Sequence, residues 1–283
     1  MSDQRDNIIS ASHGFLGDMS SALITHMGLT DKTSRPVAFF DNACGSGVLT
    51  QEIQKSLPKG VLEESSFLCA DLAQNMVDLA KERVVNEGWL NTEVRLLDAT
   101  KTGLPADSFT HIGLSMALNI IPDPDAVLAD CKRILKPGGM LGATLPHPDG
   151  VFWTADMRSA FRSFPFSAPF PEKLPTQMHD QGNWSDQEWV ISHLQDQGFE
   201  NVNMKTATGK YYVKSAEHYS NTFGIMLGWF LTQWWDKETR EAHPVEEVRE
   251  LIKKHLREKY QGEGWEIEWM LLCVASSTPS TAD

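Results

Sequence analysis

"VAFFDNACGSGVLT" (residues 37–50) passes from apolar to acidic to glycine-rich within fourteen positions. The apolar run reads as a buried strand, and the turn after it carries Gly45 and Gly47, whose lack of a Cβ lets the backbone approach a ligand closely. A strand followed by a glycine turn and a helix is common to many nucleotide binders. Starting at Gly45 the sequence reads G-S-G-V-L-T, so Thr50 stands where the dinucleotide fingerprint has its third glycine, which weakens a nicotinamide or flavin assignment. Asp41 lies immediately before the turn and disfavours a pyrophosphate there. A cationic ligand suits it better.

Two more acids end predicted strands. Asp71 follows "SFLCA" by one residue and lies 24 residues beyond Gly47, where a carboxylate can accept both hydroxyl hydrogens of a ribose. Asp98, in "LLDAT", can take a hydrogen from an adenine amino group beside the Ala99 amide. Each acid alone also fits a solvated turn cap. Ribose, adenine and an ammonium group without phosphate together describe S-adenosylmethionine.

"DNACGSG", "CADLAQNMVDLAKE", "LLDATKTGLPADSFTHI" and "CKRILKPGGML", in this order and spacing, resemble the class I S-adenosylmethionine-dependent methyltransferases, and within them the UbiE-like small-molecule branch. "EGWLNTEV" and "GLPADSFTH" are similar to stretches of fungal secondary-metabolite methyltransferases of the gliotoxin bis-thiomethyltransferase kind. The resemblance is specific over about residues 37–145 and weaker over 184–275. It implies that Asp41 and the turn Ala43, Cys44, Gly45 and Gly47 meet the methionine moiety, Asp71 the ribose, Asp98 and Ala99 the adenine, with Leu72, Met76 and Met116 also lining the cofactor. The departures are Ala43, where the family usually has its first glycine, and Asn119, where many relatives carry a histidine.

Short apolar runs alternate with helical patterns between residues 37 and 145, as βαβ units do. The expected fold is α/β: a Rossmann-like class I methyltransferase with a seven-stranded, mostly parallel sheet flanked by helices, and a helical, aromatic lid. A single domain is expected over 1–275. Its parts are an N-terminal helical piece of the lid (1–34), a cofactor-binding core (35–145) and lid or substrate elements (146–183 and 214–262). "SDQEWVISHLQDQGF" predicts a helix with Ser185 and Glu188 as a capping box. The tail, 276–283, is polar and predicted to be disordered.

The 25 basic and 38 acidic residues give a net charge of −13, which argues against nucleic acid and anionic membrane surfaces as partners. The longest apolar run, Phe223–Trp235, is too short to span a bilayer, and the polar start shows no export signal, so a cytoplasmic location is expected. The four cysteines form no C-x-x-C pair and predict reduced, packed thiols with no metal site.

The expected partner is a small-molecule acceptor, and the expected state a monomer or weak homodimer. Phe15, Trp153, Phe223 and Trp229 are candidate acceptor contacts, although helical spacing makes core packing the competing assignment. His147, just past the fifth strand in "TLPHPDG", is the candidate base. The expected reaction is methyl transfer to O, S or N of a small apolar metabolite, yielding S-adenosylhomocysteine. A non-methylating rearrangement by a cofactor-binding relative, or a regulatory methyltransferase-like subunit, are the alternatives.

Overall fold

The computed structural model describes residues 2–150 and 152–280. Seven strands form one sheet: β1 (Ala38–Asn42), β2 (Ser66–Asp71), β3 (Thr92–Leu96), β4 (Phe109–Ser115), β5 (Leu135–Pro146), β6 (Glu200–Val213) and β7 (Trp265–Ser277), in the order β3-β2-β1-β4-β5-β7-β6. The pairs β3–β2, β2–β1, β1–β4 and β4–β5 are parallel, and β7 runs antiparallel to β5. The expected mostly parallel, seven-stranded α/β architecture is therefore present.

The central strands are covered on both faces, which is why they read as continuous apolar runs rather than alternating ones. Phe39, Phe40, Ile112 and Leu114 are fully buried, as are Ile53, Val77, Val127 and Leu128 on the helices packed against them. Glycine sits where helices cross the sheet. A Cβ on Gly142 of β5 would collide with the sulfur of Met27, and one on Gly113 of β4 would lie 2.8 Å from both Leu49 and Phe39.

The chain divides into two compact units. The larger comprises Ser12–Pro148, Thr176–Ala207 and Leu271–Asp283, and it holds all of β1 to β5. The smaller comprises Met1–Ala11, Asp149–Pro175 and Thr208–Met270. Its helices, among them Thr154–Phe161, Ala216–Phe223, Leu227–Trp234 and Val245–Lys259, enclose an aromatic core centred on Phe161. The Phe161 ring lies 5.0 Å from Phe164, 5.2 Å from Phe170 and 5.4 Å from Phe230. Buried Asp156 accepts from Lys259 Nζ, Tyr260 Oη and Trp265 Nε1 at 2.7–2.8 Å, joining three segments through one carboxylate.

Two local expectations are corrected. The helix predicted to start at Ser185 spans Gln187–Asp196, and its N-cap is Asp186, which accepts the Trp189 amide at 3.1 Å. The start one residue later moves Glu188 out of the third helical position and dissolves the capping box. The polar tail also pairs further than its composition suggests. Ser276 and Ser277 belong to β7, and Thr278 exchanges bonds with Gly139 while Pro279 accepts the Gly138 amide. Two of these bonds are between backbone groups and the third uses the Thr278 hydroxyl, so polar side chains do not prevent the pairing. Residues 281–283 of the expected disordered tail lie outside the described residues.

Candidate active site

At the C-terminal ends of β1, β2 and β4, the larger unit contains a cavity of about 490 Å³. Ligands of parallel α/β sheets bind at this end, where the strand order reverses, here between β1 and β4. The volume falls in the range of small-molecule sites, roughly 300–1,000 Å³.

Of the residues the sequence nominated, Ala43, Asp71, Leu72, Asp98, Ala99 and Met116 line this cavity together. Asp71 accepts the Gly45 amide on Oδ2 at 2.8 Å and the Ala73 amide on Oδ1 at 2.9 Å. Asp98 accepts the Thr100 amide and hydroxyl, both on Oδ1, at 2.9 and 2.7 Å. Those two bonds hold its carboxyl below the ordinary range, so it stays an anionic acceptor.

The turn itself needs left-handed backbone. Gly45 and Gly47 have φ of 53° and 79°, and so does Ala43, at 56°. The departure at Ala43 is therefore more than a small change, because an L-residue in this region costs about 1–2 kcal/mol. Met116 adopts φ of 52° on the facing side and donates its amide to Thr144. Two non-glycine residues in this conformation face one cavity, as strain at functional sites often does.

Five nominated cofactor residues do not line the cavity. Asp41 is 1 % exposed, and its Oδ2 accepts the amide and hydroxyl of Thr50 at 3.1 and 3.0 Å. It caps the helix Val48–Ser56 from inside, and burial raises its carboxyl to about 7. Thr50 thus has a positive role as the partner of Asp41. Cys44 packs behind the turn with Cys69, Val77, Ala80 and Trp89, where the neighbouring Cys69 thiol and burial hold its own thiol well above the ordinary range. Met76 is half-buried on the helix Gln74–Asn86. Gly45 and Gly47 act through the turn, Gly45 by its bond to Asp71 and Gly47 by leaving room for Trp89, 2.9 Å from where a Cβ would stand.

The other candidates lie apart from the cavity lining. His147 is half-buried beyond β5, and Phe15 is buried in the larger unit. In the smaller unit Trp153 stacks on Phe223 at 6.4 Å, while Trp229 is 37 % exposed beside Trp234.

The sequence reading missed the wall formed by Ala117, Ile120, Ile121 and Pro122. Ile120 is half exposed at this wall, and in "ALNIIPDP" nothing local distinguishes it from a core isoleucine. It also missed the brace behind the turn. Arg83, 1 % exposed, donates to the Ser46 carbonyl at 2.7 Å, to Gln51 and to Glu87, and lies 5.0 Å from the Trp89 ring.

An S-adenosyl group fits this donor set. Carboxylates stand at two strand ends, apolar walls enclose the space between them, and the glycine turn carries little side-chain bulk. Residues 40–143 match the model of a methyltransferase domain. The chain is 29 % identical to methyltransferase tpcH of Aspergillus fumigatus, over 87 % of this chain and 86 % of that protein. It is 26 % identical to acetylaranotin bis-thiomethyltransferase of Aspergillus terreus, over 86 % and 83 %. A solved phosphoethanolamine N-methyltransferase 2 of Haemonchus contortus, in complex with S-adenosyl-L-methionine, shares the fold with a TM-score of 0.52 at 16 % identity, covering 93 % of this chain and 52 % of that one. The sheet order is that of the class I methyltransferase fold, and the domain match and the relatives support a methyltransferase. More particularly, the chain is an S-adenosylmethionine-dependent enzyme similar to the methyltransferases of fungal secondary metabolism.

Proposed function

We propose that the enzyme methylates O, S or N of a small, largely apolar secondary metabolite, with the larger unit's cavity holding the cofactor. The presence of both Asp71 and Asp98, at neighbouring strand ends, in the lining of that cavity carries this assignment. Asp71 binds the ribose hydroxyls, Asp98 and the Ala99 amide bind adenine, and the turn from Ala43 to Gly47 takes the methionine end. Leu72, Ile120 and Ile121 exclude water from the adenosine.

When bound, S-adenosylmethionine supplies a methyl group on a sulfonium that is already a good leaving group. The chain's own contribution is therefore mainly orientation, worth up to roughly 7–11 kcal/mol in near-attack geometry. The acceptor's proton passes to His147 or to water, and a thiol, partly ionised near neutral pH, needs a base least. The bis-thiomethyltransferase among the relatives favours sulfur as one acceptor atom.

Among the described residues no helix is long and apolar enough to cross a membrane, and no group of His, Cys, Asp or Glu could hold a metal ion. A cytoplasmic monomer or weak homodimer acting on neutral metabolites suits the net charge of −13. Calorimetry with S-adenosylhomocysteine tests the cofactor site, and absence of binding would exclude it. A labelled-methyl screen tests the acceptor class: transfer to neutral apolar metabolites is expected, and preference for tRNA or histone tails would contradict it.

A further inference from the structure

The wall Ala117–Pro122 has an inner and an outer side. Ala117, Ile120, Ile121 and Pro122 line the cavity, whereas Leu118 and Asn119, 1 % and 5 % exposed, lie outside its lining. The segment Thr176–Gly182 bonds to these outer residues. Asn119 Nδ2 donates to the Thr176 carbonyl at 3.1 Å, and the Asn119 carbonyl accepts the Met178 amide at 2.8 Å. One residue thus grips positions 176 and 178 with a side-chain amide and a backbone carbonyl, as a neighbouring strand would grip them with backbone alone. His179 Nε2 lies 2.9 Å from the Leu118 carbonyl. Its Nδ1 accepts the Gln181 amide, so the proton is on Nε2 and that nitrogen is the donor.

The segment is stiff enough to transmit this grip. Gln177 donates to the carbonyls of His179 and Gly182 and accepts the Trp184 amide. Trp184 is fully buried in the core of the larger unit, its Nε1 bonded to the Gln181 carbonyl. The chain's own topology therefore anchors Thr176–Gly182 at Trp184 and presents the Thr176 carbonyl, the Met178 amide and the His179 ring to Leu118 and Asn119. Asn119 Oδ1 is buried with no partner, a cost the site accepts while Nδ2 holds the Thr176 carbonyl.

We propose that Asn119 and His179 are positioning residues for the cofactor cavity. They hold Ile120, Ile121 and Pro122 at the depth at which these side chains cover the adenosine. The proposal rests on the cofactor assignment above.

The test measures S-adenosylhomocysteine affinity by calorimetry, and hydrogen exchange of the residue 117–121 amides in the ligand-free protein, for wild type, Asn119→Ala, His179→Ala and His179→Gln. Losing one or two net hydrogen bonds should weaken binding about three- to tenfold and speed exchange of the wall in both alanine variants. His179→Gln, which keeps a donor and an acceptor, should stay within about twofold of wild type. His179 is only half-buried, so its variants decide the matter even if Asn119→Ala does not fold. Wild-type binding with unchanged affinity or unchanged wall exchange in His179→Ala overturns the proposal alone. No binding to wild type overturns the cofactor assignment and this proposal with it.

Discussion

The Gly45 amide donates to Asp71 Oδ2 at 2.8 Å, so the acid that ends β2 also closes the glycine turn that ends β1. One side chain thereby sets the turn and faces the cavity. Asp71→Ala should reduce S-adenosylhomocysteine affinity more than tenfold by calorimetry and lower the melting temperature as well, since it leaves the Gly45 and Ala73 amides without their acceptor. Asp71→Asn, which retains an acceptor oxygen, should lose less of both.

Ala43 occupies left-handed backbone at φ of 56°. Replacing it with glycine removes the steric cost while adding chain entropy to the unfolded state, for a net gain of up to about 1 kcal/mol. Ala43→Val should lose more than that, because a β-branched residue fits this conformation worst. Chemical denaturation of the two variants checks the opposite signs.

The two glycines of the turn should respond differently to a methyl group. A Cβ on Gly47 meets Trp89 at 2.9 Å, whereas one on Gly45 has no heavy atom within 4 Å. Both positions carry the strain of positive φ, so Gly45→Ala should cost about 1–2 kcal/mol, and Gly47→Ala that plus the displacement of Trp89. Equal losses in denaturation would contradict the packing of Trp89 against the turn.

Burial holds the Asp41 carboxyl near 7, against an ordinary value of 3.8. Between about pH 4 and 7 the folded chain keeps this proton while the unfolded chain releases it, so the folded state binds more protons and stability falls as pH rises through the window. Asp41→Asn keeps an acceptor for Thr50 without the ionisation. Its stability relative to wild type should rise from pH 4 to 7 and level off above, by up to a few kcal/mol. A flat difference across that range would show that Asp41 ionises freely.

Arg83 is a buried cation whose partners include the Ser46 carbonyl, inside the turn. Arg83→Met should cost roughly 1–3 kcal/mol in denaturation, because the buried Ser46 carbonyl and Gln51 lose their donor, whereas Glu87 is partly exposed and keeps Trp89 Nε1.

How far the sequence carries the site depends on the distance over which each feature is encoded. "VAFFD", "SFLCA" and "FTHIGLS" are local apolar runs, and the acids at 71 and 98 are fixed to strand ends by the βαβ period, so their convergence is legible from spacing alone. Thr50 was legible only as a missing glycine. The capping box at Ser185 failed because Asp186, one residue on, accepts the Trp189 amide and so starts the helix one residue later.

The sequence by itself determined the fold class and the two carboxylates that face the cavity, because those follow from periodicity and strand ends, and its motifs, through their resemblance to a methyltransferase family, indicated the cofactor class. Only the tertiary structure decided that Asp41 turns inward to Thr50, that Cys44 packs behind the turn, and that Arg83 braces Ser46 across 37 positions. It also decided that Asn119 and Leu118 meet Thr176 and His179, some 60 positions later in the chain. The physical reason is that side-chain direction and long-range partners are set by which surfaces must be buried together, and no local pattern records that choice.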